Sequence, residues 1–376
     1  MQLPPISLYI HFPWCERKCP YCDFNSHELS GVLEEDAYID QLLMDLSVQA
    51  KYLMGREIRS VFLGGGTPSL FSSESIARLL EGVKQTTNLQ DEVEVTLEAN
   101  PGSVEAGKFE SYLNAGVNRL SLGIQSFQDD KLQALGRIHN AQEALKAYSI
   151  AREAGYSNVN LDLMHGLPGQ SLSDAAFDLE SAVALEPEHI SWYQLTIEPK
   201  TIFASRPPIL PHDQILGNIE ASGLKLLGSA GYQRYEISAY AKQGFECRHN
   251  LNYWTFGDYL GVGAGAHGKL SLPDKCEIQR SSRPRQPRLY LKSEALQVLD
   301  LKTVSSTDRV SEFLMNVLRL SAGVERDSFE KLTGLDIKVI QAGIQHFENL
   351  GVWQKGKIGL NSDGLRYLDS IVEYFV

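Results

Sequence analysis

The succession of strand-like and helix-like segments in the first 200 residues is the feature that most restricts the fold of this 376-residue chain. Strands are predicted at six short apolar runs: Ser7–Phe12, Ser60–Leu63, Val93–Leu97, Arg119–Ile124, Val159–Met164 and Ile190–Ile197. Helices are predicted between them, where apolar residues recur with a helical period: Ala37–Leu53, Ser75–Val83, Ala141–Ala154 and Ser173–Leu185. Repeated strand-then-helix units place the strands in a parallel sheet. Six units are too few for a closed eight-stranded barrel, so we predict an α/β fold built on a partial (β/α)6 barrel.

The pattern changes after Pro199, where several prolines mark a long loop. Tyr232–Tyr240 alternates like a strand, and Tyr259–His267 is apolar and glycine-rich. The segment Ser282–Pro287 is basic and contains prolines, so we expect it to be exposed. From about Thr307 the chain again has a helical pattern.

A hairpin that turns at Lys355–Lys357, followed by a final helix over Ser362–Phe375, is typical of a small winged-helix-like domain. The prediction for the whole chain is therefore an α/β core followed by a small α+β domain. The predicted units are a barrel core over residues 1–235, an extension over 236–300, and the winged-helix-like domain over 301–376.

Composition excludes several classes of protein. The net charge of −12, from 35 basic and 47 acidic residues, argues against binding to nucleic acid. The sequence has no apolar run near the ~18 residues that a membrane helix needs, and no signal-peptide pattern at its start. Its five cysteines do not form a disulfide framework. A reduced cytoplasm is the expected location.

Three cysteines lie within eight residues, at Cys15, Cys19 and Cys22. A cubane iron–sulfur cluster has four irons, and each normally takes one thiolate. Three thiolates would leave one iron free to bind another molecule. The alternative is a structural zinc site that a distant His or Cys completes.

Polar and glycine residues follow several predicted strands. The string Gly64–Thr67 would let a ligand approach the backbone closely, although a simple tight turn is the alternative. Glu98, Gln125, Arg137 and Asp162 each lie at or just beyond the end of a strand, where parallel α/β folds place their active sites. Together they could hold an amino group, a carboxylate and ribose hydroxyls. Individually, each could be an ordinary cap or salt-bridge partner.

Two later strings are less specific. Gly263–Gly268 matches a dinucleotide-binding fingerprint, but no helical pattern follows it, so we interpret it as a closely packed strand. In Cys247–Trp254, His249 or Cys247 could bind a haem iron, and Tyr253 and Trp254 could pack on a flat macrocycle. A capped turn with aromatic residues in the core is the alternative.

The string Tyr9-x-His11-x-Pro13-x-Cys15-x3-Cys19-x2-Cys22, followed by Gly64–Pro68, resembles the radical S-adenosylmethionine (SAM) superfamily. More narrowly, the chain is similar to the branch that contains oxygen-independent coproporphyrinogen III dehydrogenase. Two features resemble the HemW family of haem chaperones within that branch. Phe24 stands where the dehydrogenase pattern has a further cysteine, and His249-Asn-x-x-Tyr253-Trp254 is complete.

The resemblance implies a role for each matching residue. Cys15, Cys19 and Cys22 would hold a [4Fe-4S] cluster whose open iron binds SAM, and His249 is the candidate haem ligand. The residues that match SAM-contacting positions are Tyr9, Tyr21, Gly65, Gly66, Thr67, Glu98, Gln125, Arg137 and Asp162.

The function that this resemblance implies is to bind haem and deliver it to apo-haemoproteins. The apo-haemoprotein that receives the haem could be bound to a membrane. The alternative is a coproporphyrinogen III dehydrogenase, and a third hypothesis is a zinc-stabilised interaction protein. The resemblance leaves open whether SAM is cleaved or only bound.

Overall fold

The computed structural model describes residues 1–102, 106–294 and 299–375, and its largest element is a twelve-stranded mixed sheet. The strands of the chain are β1 (Ile6–Phe12), β2 (Trp14–Cys15), β3 (His27–Glu28), β4 (Ile58–Gly65), β5 (Leu89–Ala99), β6 (Arg119–Gln125), β7 (Val159–His165), β8 (His189–Gln194), β9 (Gln233–Glu236), β10 (Ala239–Ala241), β11 (Asp258–Val262), β12 (His267–Leu272), β13 (Glu277–Ser282), β14 (Asp300–Thr303), β15 (Val324–Glu325) and β16 (Lys357–Ile358).

Six parallel strands form the centre of this sheet, in the order β1-β4-β5-β6-β7-β8. They are the six strands predicted from the apolar runs, and together with their helices they form the partial (β/α)6 barrel. The strands β1, β6 and β7 are buried along nearly their whole length, as expected for parallel strands covered on both faces.

Helices follow the parallel strands and continue through the C-terminal part of the chain. The α-helices are Glu35–Gln49, Ser73–Thr86, Phe109–Ala115, Asp129–Ala134, Ala141–Glu153, Leu172–Ala184, Ile202–Ser205, Asp213–Ser229, Arg248–Trp254, Pro287–Leu291, Ser306–Val317, Asp327–Thr333, Lys338–Asn349, Ser362–Leu365 and Leu368–Glu373. Short 3-10 helices lie at Ala50–Leu53, Pro68–Leu70 and Pro273–Lys275. None of the helices in the described segments has the length and apolarity that crossing a bilayer requires.

Local sequence explains where the helices of the barrel begin. Ala141–Glu153 starts with a capping box, in which Asn140 and the side chain of Glu143 satisfy each other's backbone N–H groups. Leu172–Ala184 starts in the same way, with Ser171 as the cap. Such caps compensate for backbone donors that have no partner inside the helix.

Further strands lie at both edges of the parallel sheet. At one edge, β11 runs parallel to β1, and β12, β13 and β14 follow in antiparallel order. At the other edge, β10 and β9 form a hairpin beside β8. Tyr232–Tyr240 therefore contains two strands instead of the one predicted. The segment Gly263–Gly268 was interpreted as a closely packed strand, but most of it is the turn between β11 and β12, in which Gly263 and Gly265 take left-handed backbone conformations.

A buried ionic network fixes β11 at its place in the sheet. The carboxylate of Asp258 accepts hydrogen bonds from Arg56 Nη1 at 2.8 Å and from Lys269 Nζ at 3.0 Å. It also accepts from the backbone N–H and the hydroxyl of Ser271, at 2.9 and 2.8 Å. Asp258 and Lys269 are almost completely buried. The network thus joins β11, β12 and the turn before β4.

The C-terminal part of the chain has its own hydrophobic core, centred on Phe313, Phe329 and Ile344. Phe256 and Ile278 of the extension pack into this core, and join it to the sheet. The predicted hairpin turns at residues 355–356, with a bridge between Trp353 and Leu360. The final helix was predicted as one element over Ser362–Phe375, but it is interrupted at residues 366–367, and nothing in the packing explains the interruption. The proposed domain limits stay predictions.

Candidate functional site

The cysteine loop begins directly after β1 and is closed at its base by backbone hydrogen bonds. The short strands β2 and β3 pair, with Trp14 opposite His27 and Cys15 opposite Glu28. His27 N donates to Pro13 O at 2.7 Å, which is one of the bonds that join the two ends of the loop. Inside the loop, Lys18 Nζ donates to the carbonyl oxygens of Phe24 and Ser26, at 3.1 and 3.0 Å. The protein therefore shapes this loop through its own backbone.

The three cysteine side chains are free thiols that line one cavity of about 380 Å³. Burial raises the pKa of Cys15 and of Cys22. The sulfur of Cys19 accepts a hydrogen bond from Arg137 Nη1 at 3.6 Å. This hydrogen bond ties the cysteine loop to Arg137, which lines the same cavity.

The end of β4 forms the floor of the same cavity, next to the cysteine loop. Gly66 N donates to Phe12 O at 2.6 Å, and Thr67 N donates to Trp14 O at 2.7 Å. A Cβ at Gly66 would collide with those same two backbone carbonyls, and a Cβ at Gly65 would collide with the His11 ring. Gly65 also has a φ of +112°, which side-chain-bearing residues rarely adopt. Only glycine allows β4 and the cysteine loop to approach this closely.

Two buried carboxyl groups lie on the inner wall of the cavity. Glu98 Oε2 accepts a hydrogen bond from Gly65 N at 3.0 Å. Burial, with a smaller contribution from Asp162, raises the pKa of Glu98 to about 7. Asp162 accepts hydrogen bonds from Ser121 Oγ at 2.9 Å and from Asn160 Nδ2 at 2.8 Å, and burial raises its pKa. The wall thus carries a potential negative charge that a cationic ligand would stabilise.

Arg137 and Gln125 also line the first cavity. Arg137 Nη2 donates to Asn100 Oδ1 at 2.6 Å and to Gly123 O at 2.9 Å, while its buried Nε has no partner in the described segments. Gln125 ends β6 with a φ of +70°, a conformation that costs on the order of 1 kcal/mol for a residue with a side chain. Its Oε1 accepts a hydrogen bond from Tyr193 at 2.7 Å.

A second cavity of about 360 Å³ adjoins the first. Phe24, Gly65 and Glu98 line both cavities and form the boundary between them. The remaining residues of the second cavity are Tyr9, His11, Asn25, Tyr253, Tyr259, Gly265, His267 and Arg285. The first cavity is therefore bounded by cysteines and carboxyl groups, and the second mainly by aromatic rings.

Comparison with known proteins identifies the family. Residues 9–181 match the model of the radical SAM superfamily, and residues 304–367 match that of the HemN C-terminal domain. The chain is 51% identical to the heme chaperone HemW of Haemophilus influenzae, over 100% of this chain and 99% of that relative. The chain belongs to the HemW family of the radical SAM superfamily. It is also 49% identical to the heme chaperone HemW of Escherichia coli, with the same coverage.

A comparison with solved structures identifies the fold. The solved structure of coproporphyrinogen III oxidase (HemN) from Escherichia coli, described as a radical SAM enzyme, matches with a TM-score of 0.82. The match covers 99% of this chain and 90% of that one, at 20% sequence identity. At this identity the likeness shows a common fold, which confirms the predicted α/β fold class.

Membership of the superfamily implies a [4Fe-4S] cluster and SAM, and the first cavity has suitable ligands for both. Its three cysteines are unpaired thiols, and an arginine with an unpartnered Nε lies beside them. Among the residues that the structure describes, no three His, Cys, Asp or Glu side chains are grouped around one metal ion. A cubane does not need such a group, because each thiolate binds a different iron. When bound, the cluster and SAM supply one-electron chemistry.

The structure brings most of the predicted site residues of this HemW family member into the first cavity. These are Cys15, Cys19, Cys22, Tyr21, Gly65, Gly66, Thr67, Glu98, Gln125, Arg137 and Asp162. Tyr9 lies in the second cavity instead, where its hydroxyl is 3.0 Å from His11 Nδ1. Asn100 and Tyr193 also line the first cavity, although neither was among the residues predicted from the sequence. Asn100 directly follows β5, so its position relative to the strand end could have indicated it.

The candidate haem ligand His249 lies behind the wall of the second cavity. Its ring is 2% exposed, stacks on Phe62 at 5.0 Å and lies 5.1 Å from the ring of Tyr253. Its Nδ1 is 3.1 Å from Ser60 Oγ, and its buried Nε2 has no partner in the described part of the chain. Burial lowers the pKa of His249 to about 3. Haem ligation by His249 stays a prediction, and it would require this ring to become accessible.

The alternative ligand Cys247 is also completely buried. Its sulfur lies 3.6 Å from Glu94 Oε1, and burial raises the pKa of the thiol to about 12. A thiol with so high a pKa is a poor metal ligand, because metals bind the thiolate.

The raised pKa of Glu98 leads to a testable expectation for SAM binding. Below pH 7 the carboxyl group is mostly neutral, and it is then a weaker hydrogen-bond acceptor for the amino group of SAM that we expect it to contact. We therefore expect the affinity for SAM to rise as the pH increases from 6 to 7, by at most about tenfold per pH unit. Glu98→Gln should weaken binding and remove this dependence. Equilibrium dialysis with labelled SAM measures both effects.

A suitable control for this experiment is Glu153→Gln, because Glu153 is exposed on the outer helix Ala141–Glu153. The Glu153→Gln variant should bind SAM with the affinity and the pH dependence of the unmodified protein. An affinity that is independent of pH in the unmodified protein would contradict the role assigned to Glu98.

Proposed function

We propose that this protein is a haem chaperone, which binds haem and delivers it to apo-haemoproteins while carrying a [4Fe-4S] cluster and SAM. The observation that carries the proposal is the full-length identity of 51% to a heme chaperone HemW. A shared fold alone would not support a shared function, but 51% identity along the whole chain does.

The site supports the proposal in two ways. Cys15, Cys19 and Cys22 are candidates for the cluster ligands, and the wall with Glu98 and Arg137 offers groups of both charges for the amino and carboxylate groups of SAM. Beside them, the aromatic second cavity offers room for a flat ligand. A protein with both cavities could hold a macrocycle next to its cofactors.

Residue 24 bears on the choice between a chaperone and a dehydrogenase. Phe24 is 60% exposed and stands at the boundary between the two cavities. The dehydrogenase pattern has a cysteine at this place, so Phe24 argues against the same chemistry. The likeness to HemN rests on fold at 20% identity, and does not support a dehydrogenase activity for this chain.

The proposal places the protein in the cytoplasm, because a reducing environment protects a partly exposed cluster. Its partners are haem and apo-haemoproteins. An apo-haemoprotein in a membrane could also receive haem, if this protein docks on it from solution. The net charge of −12 speaks against nucleic acid as a partner.

Haem transfer to an acceptor protein tests the proposal directly. The cluster-loaded protein is mixed with haem under anaerobic conditions, and apomyoglobin is added while the Soret absorbance is followed. We expect a stoichiometric haem complex, and a transfer rate that increases with acceptor concentration. Passive release would give a rate independent of the acceptor, because dissociation would then limit transfer.

Two results would contradict the chaperone function. One is the absence of a stoichiometric haem complex. The other is repeated conversion of coproporphyrinogen III to protoporphyrinogen IX when the same preparation is supplied with SAM and a reductant.

A further inference from the structure

We propose that haem binds in the second cavity, with His267 as the iron ligand and Arg285 pairing with a propionate. This inference rests on the proposed function, since it names the place where the haem of that function is held. It differs from the expectation based on the sequence, which selected His249.

The walls of the second cavity suit a flat, aromatic ligand. The rings of Tyr253 and Tyr259 lie 4.1 Å apart between centroids, and Phe24 and Tyr9 line the same space. Aromatic side chains pack on extended π systems through dispersion and quadrupole interactions. Because His267 and Arg285 are exposed, the cavity is open on their side and a macrocycle could extend out of it.

His267 is well placed to bind iron. It is the first residue of β12, and its backbone is held opposite Ser282 in the sheet. Its ring lines the cavity and has no hydrogen-bond partner within the described ranges. Burial, together with nearby arginines such as Arg280 and Arg285, lowers the pKa of His267. The ring is therefore neutral at pH 7, which is the form that coordinates metals.

The other two histidines near this cavity are less suitable ligands. His11 uses both ring nitrogens, with Nε2 2.9 Å from Asn25 O and Nδ1 3.0 Å from the hydroxyl of Tyr9. His249 is separated from the cavity by the rings of Tyr9 and Tyr253. Of the histidines that the structure describes at this cavity, His267 alone presents an accessible imidazole to the space without first breaking a contact.

Arg285 supplies a positive charge at the open side of the cavity. Its backbone oxygen accepts hydrogen bonds from Asn25 Nδ2 at 2.9 Å and from the ring of His27 at 3.3 Å, which anchors the residue. Its Nε is 3.4 Å from Asn25 Oδ1, while Nη1 and Nη2 have no acceptor in the segments described. A guanidinium with two free nitrogens can bind a carboxylate through a pair of hydrogen bonds.

Haem titration of single variants tests the iron ligand. We expect His267→Ala to lower the affinity at least tenfold and to change the Soret and α/β bands. His267→Met should restore binding with a different spectrum, because a thioether can replace the imidazole. The control is His212→Ala, which removes an exposed histidine before the helix Asp213–Ser229 and should change nothing.

His249→Ala distinguishes this proposal from the earlier expectation. We expect this variant to keep the spectrum of the unmodified complex, and circular dichroism shows whether it is folded. The inference is overturned if His267→Ala binds haem with unchanged affinity and spectrum. It is also overturned if a folded His249→Ala loses the iron-ligation bands. If the unmodified protein binds no haem, the proposed function itself fails.

A second comparison tests the propionate contact. Arg285→Ala should weaken the binding of haem by about tenfold, but should leave the binding of haem dimethyl ester in detergent unchanged. Equal losses for both ligands, or no loss for haem, would overturn the role of Arg285.

Discussion

Replacement of Cys19 by serine is expected to abolish the iron–sulfur cluster. The variant should contain almost no iron or sulfide after anaerobic reconstitution, whereas the unmodified protein should contain about four irons per chain. A serine hydroxyl is a hard and weakly acidic ligand, and it cannot replace the soft sulfur of Cys19, which Arg137 contacts. Iron and sulfide analysis, together with the brown absorbance near ~400 nm, provides the measurement.

The matched control is Cys276→Ser. Cys276 is an exposed free thiol after the 3-10 helix Pro273–Lys275, and it does not line the first cavity. The Cys276→Ser variant should therefore have the same iron content as the unmodified protein. If Cys19→Ser retained a full complement of iron and sulfide, the assignment of the three-cysteine loop as the cluster site would be wrong.

The largest loss of stability is expected from Asp258→Ala. Lys269 lies 11 residues beyond Asp258 in the chain, and its ammonium group is almost completely buried. The substitution would leave this group without its counter-charge. Removing one partner of a buried ion pair costs about 3–5 kcal/mol, because the remaining charge stays desolvated. We expect a loss of this size in the free energy of unfolding, as measured by urea denaturation.

The pKa of Asp258 gives this effect a pH dependence. Burial acts to raise it, but Lys269 and Arg56 outweigh burial and hold the pKa below its ordinary value. A carboxyl group with a lowered pKa stabilises the folded state at pH values above its unfolded pKa of about 4, and this contribution is lost as the pH falls towards the folded pKa. The difference between the unmodified protein and Asp258→Ala should therefore be large at pH 7 and smaller in acid.

Asp300→Ala is the matched control for this measurement. Asp300 lies on β14 of the same sheet and is 61% exposed, with Lys302 at 3.7 Å. Exposed ion pairs contribute little, so the expected change is within about 0.5 kcal/mol. Similar losses for Asp258→Ala and Asp300→Ala would refute the importance of burial.

The sequence was sufficient to predict the barrel core because local patterns determine its elements. Strands such as β6 and β7 are buried on both faces, so they appear as continuous apolar runs. That several candidate residues lie together could be predicted for a related reason, because parallel strands bring their carboxyl ends to one edge, and Glu98 and Gln125 lie at such ends. The expected position at a strand end was wrong for Asp162, which lies in the middle of β7, and for Arg137, which follows the helix Asp129–Ala134, although both line the same cavity.

Features that depend on distant partners could not be predicted in this way. Ser282–Pro287 was expected to be exposed because it is basic, but Arg283 in its centre is buried. Its Nε donates to the carboxylate of Asp45 at 3.0 Å, across 238 residues of sequence. The same limit applies to Tyr9 and His267, which meet in the second cavity only because β11 pairs with β1. Strand pairing over such distances leaves no local pattern.

The paired strands β2 and β3 at the base of the cysteine loop limit how far its three thiols can separate. Main-chain hydrogen bonds join the two ends of the loop, so the backbone itself keeps Cys15, Cys19 and Cys22 within one closed segment. Small zinc domains differ in this respect, because their ligands are brought together only when the ion binds.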